Sequence, residues 1–313
     1  MISKSIIDPL YIASNETIIM GLSGGPDSVF LLYQLIALQK RIPFTIIAAH
    51  LNHEWRITAE RDQDFCQKLC DSLQVTFITQ KISELNAPEY KNRSQEAQGR
   101  YYRKFFLESV QQKYGAHKIF VAHHQDDQLE TFFIKLIRGT TLEGLGSLRP
   151  IHKQYYRPLL HVTKQEILSY LHSQNIAYVQ DESNDDLSFL RNRIRHKLIP
   201  LLSEIDHRAP GNTLRAIESI QESNIFIDHY VQKTYNLCIN NNQLNLTKFN
   251  TVESFLQNKV LLKWLYHNKC LFTPSSAFVE EVLRFFRTQE GGTHQLADSW
   301  KLIKKQNIIT INF

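Results

Sequence analysis

The densest chemistry in the chain is six consecutive residues, Ser23-Gly24-Gly25-Pro26-Asp27-Ser28. They separate a short apolar run, Ile18-Ile19-Met20-Gly21-Leu22, from a strongly apolar one at 29–36. The first run reads as a buried strand and the second as helix. A strand, a glycine-rich turn and a helix start together make an anion site. Paired glycines let the backbone approach closely, amide N–H groups point into the turn, and the helix dipole adds partial positive charge. Asp27 and Ser28 fall in the first helical turn, where a carboxylate can hold a magnesium ion and a hydroxyl can reach phosphate. Plain turn chemistry with a serine cap would use the same residue types. The loop lacks the lysine of a Walker loop, G-x-x-x-x-G-K-[ST].

A second constellation is His123-His124-Gln125-Asp126-Asp127-Gln128-Leu129-Glu130-Thr131, which leads into an apolar helix closed by Arg138-Gly139. Asp126 or Asp127 is expected to cap that helix. Asp127 and Glu130 are three apart and share a face. Two carboxylates on one face need a counter-charge, and a cationic amine or a metal would supply it. On the helix expected at 94–114, Arg100 and Arg103 share a face beside Glu96. They form either a solvated basic face or a guanidinium clamp on phosphates or an RNA backbone. In 189–200 the spacing of Leu190, Ile194 and Leu198 buries one helical face and leaves Arg191, Arg195 and Lys197 outward or on the flanks. With Arg193 they make a positive patch beside the acidic turn at 181–186. Next to a nucleotide-binding core, such a patch suits an RNA backbone.

The elements that must position these residues are legible in outline. Strands are expected at 18–22, 44–49, 75–78 and 119–122, alternating with helices at 58–73 and 94–114. That alternation predicts an α/β, Rossmann-like parallel sheet with helices on both faces. Ligands on such sheets bind at the carboxyl ends of the strands, and the polar clusters at 23–28, 50–53 and 123–130 all lie there. Arg157-Pro158-Leu159-Leu160 reads as a short strand or edge segment, and Thr163-Lys164-Gln165-Glu166 as a capping box for a helix ending near 174. Residues 206–213 are the best linker. Helical periodicity follows at 214–236, 253–268 and 275–288, then a Gly291-Gly292 turn and strand-like runs at 299–303 and 307–311. The expected division is 1–208 for the α/β domain and 209–313 for a smaller, mostly helical α+β domain.

Composition sets the bounds. The chain has 313 residues, 42% hydrophobic and 21% charged, in the range of an ordinary globular protein with ample core. A net charge of +5 permits a nucleic-acid partner without requiring one. Cys66, Cys70, Cys238 and Cys270 form no disulfide or zinc framework, and no C-x-x-C occurs. With no signal-peptide pattern and no run approaching a membrane span, a reduced cytoplasm and no membrane partner are expected.

The 23–28 loop resembles the S-G-G-x-D-S loop of the N-type ATP pyrophosphatases, the PP-loop proteins. The wider set resembles the bacterial tRNA(Ile)-lysidine synthetase family. It comprises 23–28, His50-Leu51-Asn52-His53-Glu54-Trp55-Arg56, Glu96 with Arg100 and Arg103, 123–131 with Leu136-Ile137-Arg138-Gly139, 157–160 and 181–200. The matches run in the family's order over about 20–200. Glu54-Trp55 stands where the family more often has Gly-Leu, and Lys104 where tyrosine is usual. One C-terminal domain is expected, without the extra one of longer members. The resemblance implies adenylation of the wobble cytidine of a CAU-anticodon isoleucine tRNA, then attack by free L-lysine. ATP would be the substrate, held by Ser23, Gly24, Gly25, Pro26, Asp27 and Ser28 with His50 and Asn52, and Mg2+ would sit near Asp27. Arg103 and Arg100 would stabilise phosphates, and Asp127 and Glu130 would bind the lysine ammonium. Arg191, Arg193, Arg195 and Lys197 would meet tRNA. His123 and His124 are the candidate bases, and a homodimer is left open. A PP-loop tRNA thiolase, which would need reactive cysteines, and a non-catalytic RNA- or nucleotide-binding protein are the alternatives.

Overall fold

The computed structural model describes residues 5–90, 94–180, 186–269, 275–288, 290–297 and 300–312. Two compact units emerge, Met1–Glu218 and Ser219–Phe313. The first is built on strands β1 (Thr17–Gly21), β2 (Thr45–Asn52), β3 (Thr76–Lys81), β4 (Lys118–Phe120), β5 (Ile151–His152) and β6 (Tyr155–Tyr156), in the order β3-β2-β1-β4-β6-β5. All neighbours are parallel except the terminal β5–β6 hairpin. Helix α1 (Pro26–Gln39) carries the chain from β1 to β2, α2 (Ala59–Ser72) from β2 to β3, and α3 (Gln95–Lys113) from β3 back across to β4. Strand order therefore reverses between β1 and β4, which pair from Ile18↔Lys118 to Met20↔Phe120. A crevice opens at such a switch point beyond the carboxyl ends of the two strands.

The sheet is covered on both faces, so the central runs 18–20 of β1 and 46–49 of β2 are apolar without alternation. Ile18, Met20, Leu22, Ile46, Ala48 and Phe120 join one buried cluster with α1. Ile19, Ile47, Ala49, Leu51 and Ile119 join the other with Phe106, Leu107 and Val110 of α3. Helix α1 is buried on nearly every side, through Val29, Phe30, Leu31, Leu32, Leu35 and Leu38, which fixes the phosphate loop at its start.

After β4 come α4 (Gln125–Arg138) and the single turn α5 (Leu142–Leu145). The strand expected at 157–160 lies just upstream, at β6, while Leu159 and Leu160 turn into the core. Helix α6 (Lys164–Ser173) starts on the expected capping box: Thr163 accepts from the Glu166 N–H and Glu166 accepts from the Thr163 N–H. The acidic turn at 181–185 lies outside the described residues. Then α7 (Leu190–Arg193), a π-helical turn (Ile194–Leu198) and α8 (Ile199–Ile205) run on continuously. The stretch 206–213 is not an open linker: Asp206 accepts from the Arg208 N–H, and α9 (Ala209–Cys238) has begun by Ala209.

The second unit holds α10 (Leu246–Phe249), α11 (Ser254–His267) and α12 (Ser276–Arg287). Its antiparallel sheet comprises β7 (Ile239–Asn240), β8 (Gln243–Asn245), β9 (Gly292–Ala297), β10 (Trp300–Lys305) and β11 (Ile308–Asn312), ordered β7-β8-β11-β10-β9. The small β7–β8 hairpin was not foreseen. Its turn residues Asn241 and Asn242 both take positive φ, which asparagine tolerates. Trp264, Phe249, Phe286 and Leu302 centre the core of this unit.

Candidate active site

The phosphate loop is shaped by its own residues. Gly24 has φ +84°, a conformation costly for any residue with a Cβ, and a Cβ there would lie 3.2 Å from Cys66 Sγ. Gly25 precedes α1 and Pro26 opens it; with no side chain at the cap, the first-turn amides stay uncapped by side chains. Ser28 ties the turn together, donating to the Gly25 carbonyl at 3.0 Å and accepting from the Ser23 N–H at 3.1 Å. The Val179 N–H donates to the Gly24 carbonyl at 2.9 Å and pins the loop from outside. Asp27 stands at the loop's mouth, 28% exposed.

The segment after β4 reaches the same place. The expected Asp126 or Asp127 cap on α4 is corrected: the cap is His124. Its Nδ1 accepts from the Asp126 N–H at 3.3 Å, while Asp127 Oδ2 accepts from the His124 N–H at 2.9 Å. With Nδ1 an acceptor, the neutral ring carries its proton on Nε2. That atom lies 3.7 Å from Asp27 Oδ2 and 3.6 Å from Asp127 Oδ2. One histidine thus stands between the phosphate loop and the acid helix.

The expected outward basic patch is corrected in half its members. Arg193 and Lys197 are exposed, but Arg191 and Arg195 turn inward. Arg191 Nε donates to Glu130 Oε2 at 2.6 Å and its Nη2 to Asp127 Oδ1 at 2.7 Å; Arg195 Nε donates to Glu130 Oε1 at 2.6 Å. Glu130 is fully buried, Asp127 nearly so. The counter-charge required by the two carboxylates therefore comes from the chain itself. Burial alone would raise the Asp127 carboxyl, but His124, His123, the Arg191 guanidinium and the His124 N–H outweigh it and hold Asp127 at about 2. His123 is pushed down to about 4, first by burial and, against the pull of Asp127, by Arg157, Arg191 and Arg100. Burial likewise lowers Arg100, with Arg191 adding to it. The crevice is rich in guanidinium groups.

Arg100 and Arg103 occupy one helix but act on different neighbours. Arg100 faces the Asp127–Arg191 group electrostatically, whereas Arg103 bears on His50 and His53. His50 donates from Nδ1 to the Leu22 carbonyl at 2.9 Å, so it ties β2 to the entrance of the phosphate loop. Asn52 is buried and engaged on both sides, donating to Gln63 Oε1 and accepting from the Glu54 N–H. His53 stacks on Trp55 at 4.7 Å, and Trp55 packs on Gly99 of α3 so closely that a Cβ there would lie 3.0 Å from the indole. His53 is pushed down to about 3, by burial first and then Arg103. Glu54 adopts φ +57°, a left-handed conformation uncommon for a residue with a side chain.

One site residue escaped the sequence reading. Lys164, first in α6, places Nζ 2.6 Å from Asp27 Oδ1, while its backbone N–H donates to Asp126 Oδ2 at 3.3 Å. The only sequence signals were the capping box around it and the lack of a lysine in the loop. Among the described residues no three His, Cys, Asp or Glu side chains form a cation cage. A lone carboxylate at a phosphate loop nevertheless fits magnesium, which is ordinarily held by one or two carboxylates plus substrate phosphates.

Comparison with known proteins identifies the family. A family model described as the PP-loop domain matches residues 2–202. A tRNA(Ile)-lysidine synthase of Petrotoga mobilis is 36% identical over 219 residues, covering 70% of each chain. The chain belongs to the tRNA(Ile)-lysidine synthase family. A Bacillus cereus member is 31% identical over 312 residues, 95% of this chain. This chain spans 66% of that relative's length, just under two thirds. Among solved structures, the U34-tRNA thiolase NcsA of Methanococcus maripaludis, with its [4Fe-4S] cluster, superposes with a TM-score of 0.57 at 21% identity. The match covers 67% of this chain and 73% of that one, and it establishes the shared fold.

Proposed function

We propose that the chain joins L-lysine to carbon 2 of the wobble cytidine of an isoleucine tRNA with a CAU anticodon, converting ATP to AMP and pyrophosphate. The observation that carries this reading is His124, placed between Asp27 of the phosphate loop and Asp127 of the acid helix. A nucleotide end and an acidic, amine-seeking end then belong to one crevice. In the first step the cytosine carbonyl oxygen attacks the α-phosphorus of ATP, and pyrophosphate leaves into the 23–28 loop. In the second the lysine ε-amine attacks carbon 2, loses a proton, and AMP departs with the oxygen. A carbonyl oxygen leaves only once it is carried by AMP. Asp27 would hold a magnesium ion, which supplies charge neutralisation for the pyrophosphate. Arg103 and Arg100 serve the phosphates.

For the amino acid, Asp127 is the less enclosed of the two acids, and Glu130 acts largely by holding Arg191 and Arg195. Neither histidine is set up as a free base: His123 is held too low, and His124 Nε2 bears a proton toward the two aspartates. Arg193 and Lys197, with residues 209–313, are assigned to tRNA. The buried free thiols Cys66, Cys70 and Cys238 accord with a reduced cytoplasm. The thiolase alternative is disfavoured because burial pushes Cys66 and Cys70 up to about 12, so neither of these two is a ready thiolate.

The test is AMP release from labelled ATP with CAU-anticodon isoleucine tRNA, with and without L-lysine, followed by nucleoside mass analysis. A lysine-dependent mass gain on cytidine supports the reading. Incorporation of sulfur, or turnover indifferent to lysine, would overturn it.

A further inference from the structure

The phosphate loop presents backbone amides and an acid but no cation of its own. In Walker loops a lysine within the loop reaches the terminal phosphates; here the corresponding positions hold glycine, proline and aspartate. Lys164 brings an ammonium to that mouth from 137 positions downstream. Its place is fixed at several points. The Thr163–Glu166 capping box sets the start of α6, and the Lys164 N–H donates to Asp126. Just upstream, the Val162 carbonyl accepts from the Gln125 N–H at 2.9 Å, and the Leu160 carbonyl accepts from Gln128 Nε2 at 2.9 Å. The segment carrying Lys164 is thus stitched to the start of α4, and its side chain reaches Asp27 at the start of α1. That side chain is 36% exposed and Asp27 is 28% exposed, so the pair borders solvent at the point where an anion enters. A flexible four-carbon stem lets the ammonium pivot while its backbone stays fixed.

We propose that Lys164 is a phosphate-binding residue: its ammonium, which rests on Asp27 in this structure, turns to the β- and γ-phosphates of ATP and stays with the pyrophosphate after adenylation. The proposal rests on the reading of 23–28 as a pyrophosphate loop. Asp27 is freed by the same movement and becomes available to a divalent cation. Lys164 and Asp27 therefore act as an exchangeable pair, with phosphate and cation as their alternative partners.

The experiment is calorimetric titration of the full chain with pyrophosphate, ATP and AMP, with and without Mg2+. Charged hydrogen bonds of this kind correspond to about 10- to 100-fold in affinity. Lys164→Met is expected to weaken pyrophosphate and ATP by that factor while AMP changes less than about twofold, and Lys164→Arg to recover most of the loss. In metal-free buffer Asp27→Asn is expected to tighten pyrophosphate by releasing the ammonium, and that gain should disappear when Lys164→Met is added. Unchanged pyrophosphate affinity in Lys164→Met overturns the proposal. So does equal loss of AMP and pyrophosphate, which marks a misshapen loop, or a gain in Asp27→Asn that survives without Lys164, which marks simple repulsion. A wild-type chain that binds AMP but not pyrophosphate instead overturns the reading of the loop.

Discussion

Neutralising Glu130 tests whether the acid helix is held by the two arginines of the following segment. The side chain has no exposed surface and receives Arg191 Nε and Arg195 Nε at 2.6 Å each. Glu130→Gln keeps the shape but leaves two guanidinium groups against a neutral amide, whose single oxygen cannot accept from both as the carboxylate does. Removing one side of a buried ion pair costs roughly 3–5 kcal/mol. Two features reduce that figure. Arg191 retains Asp127 at 2.7 Å, and Arg195, 33% exposed, can turn partly to water. The expected loss is therefore about 2–3 kcal/mol. At about 2–4 °C per kcal/mol for a unit of this size, the first unit should melt about 4–12 °C lower. Scanning calorimetry of the full chain reads this directly. Arg195→Met should cost much less, about 1 kcal/mol, since Glu130 then still holds Arg191. A Glu130→Gln variant melting within about 1 °C of wild type would refute the reasoning. An Arg195→Met loss as large as that of Glu130→Gln would do the same.

Gly24→Ala should cost about 1–2 kcal/mol from its left-handed backbone alone and weaken ATP binding, measured by melting and by titration; an unperturbed variant would show that the loop relaxes freely. At Glu54, also left-handed, the carboxylate accepts from the Ser83 N–H at 2.8 Å. Glu54→Ala should therefore lower the urea midpoint, while Glu54→Gly regains it through backbone relief, and midpoints that rank alanine above glycine would contradict this. Acid should destabilise the first unit early. His123 is held at about 4 and His53 at about 3, both chiefly by burial, so the unfolded chain takes these protons first. Their contribution is full above about pH 6.5 and declines as pH falls toward those values, by up to about 3 kcal/mol for His123. Asp127, held at about 2, has linkage of the same sign in a lower window: its contribution is full above about pH 4 and disappears only as pH falls through 2. Urea midpoints at several pH values for wild type and His123→Gln test this, and an unchanged slope between pH 6.5 and 4 in the variant would count against it.

What the sequence disclosed was local, and what it hid was long-range. The loop at 23–28 was legible because Gly-Gly-Pro fixes a turn through its own backbone preferences, whatever surrounds it. The parallel sheet was legible because strands buried on both faces are apolar without alternation. Helical spacing also placed Asp127 and Glu130 on one face of α4. Spacing does not say which face of another segment meets them. Arg191 and Arg195 share a face, and the wider π-helical turn that begins at Ile194 helps bring residues four apart into line, so both reach one carboxylate. That turn has no signature in the residue types. Lys164 was hidden for the same reason, since only the reversal of strand order between β1 and β4 brings the segment after β6 beside α1.

The pairings so made form one alternating series: Lys164, Asp27, His124, Asp127, Arg191, Glu130 and Arg195. Each internal member has partners on both sides, and every acid is compensated before any ligand arrives. A phosphate entering at the loop mouth would compete with Asp27 for Lys164. A lysine ammonium can bind Asp127 only by sharing it with, or displacing, Arg191. A guanidinium displaced in this way is left beside the exposed Arg193 and Lys197, on the surface assigned to RNA. Amino-acid entry and RNA contact would then draw on the same arginine, which gives the segment after the acidic turn a reason to carry its basic residues on both faces.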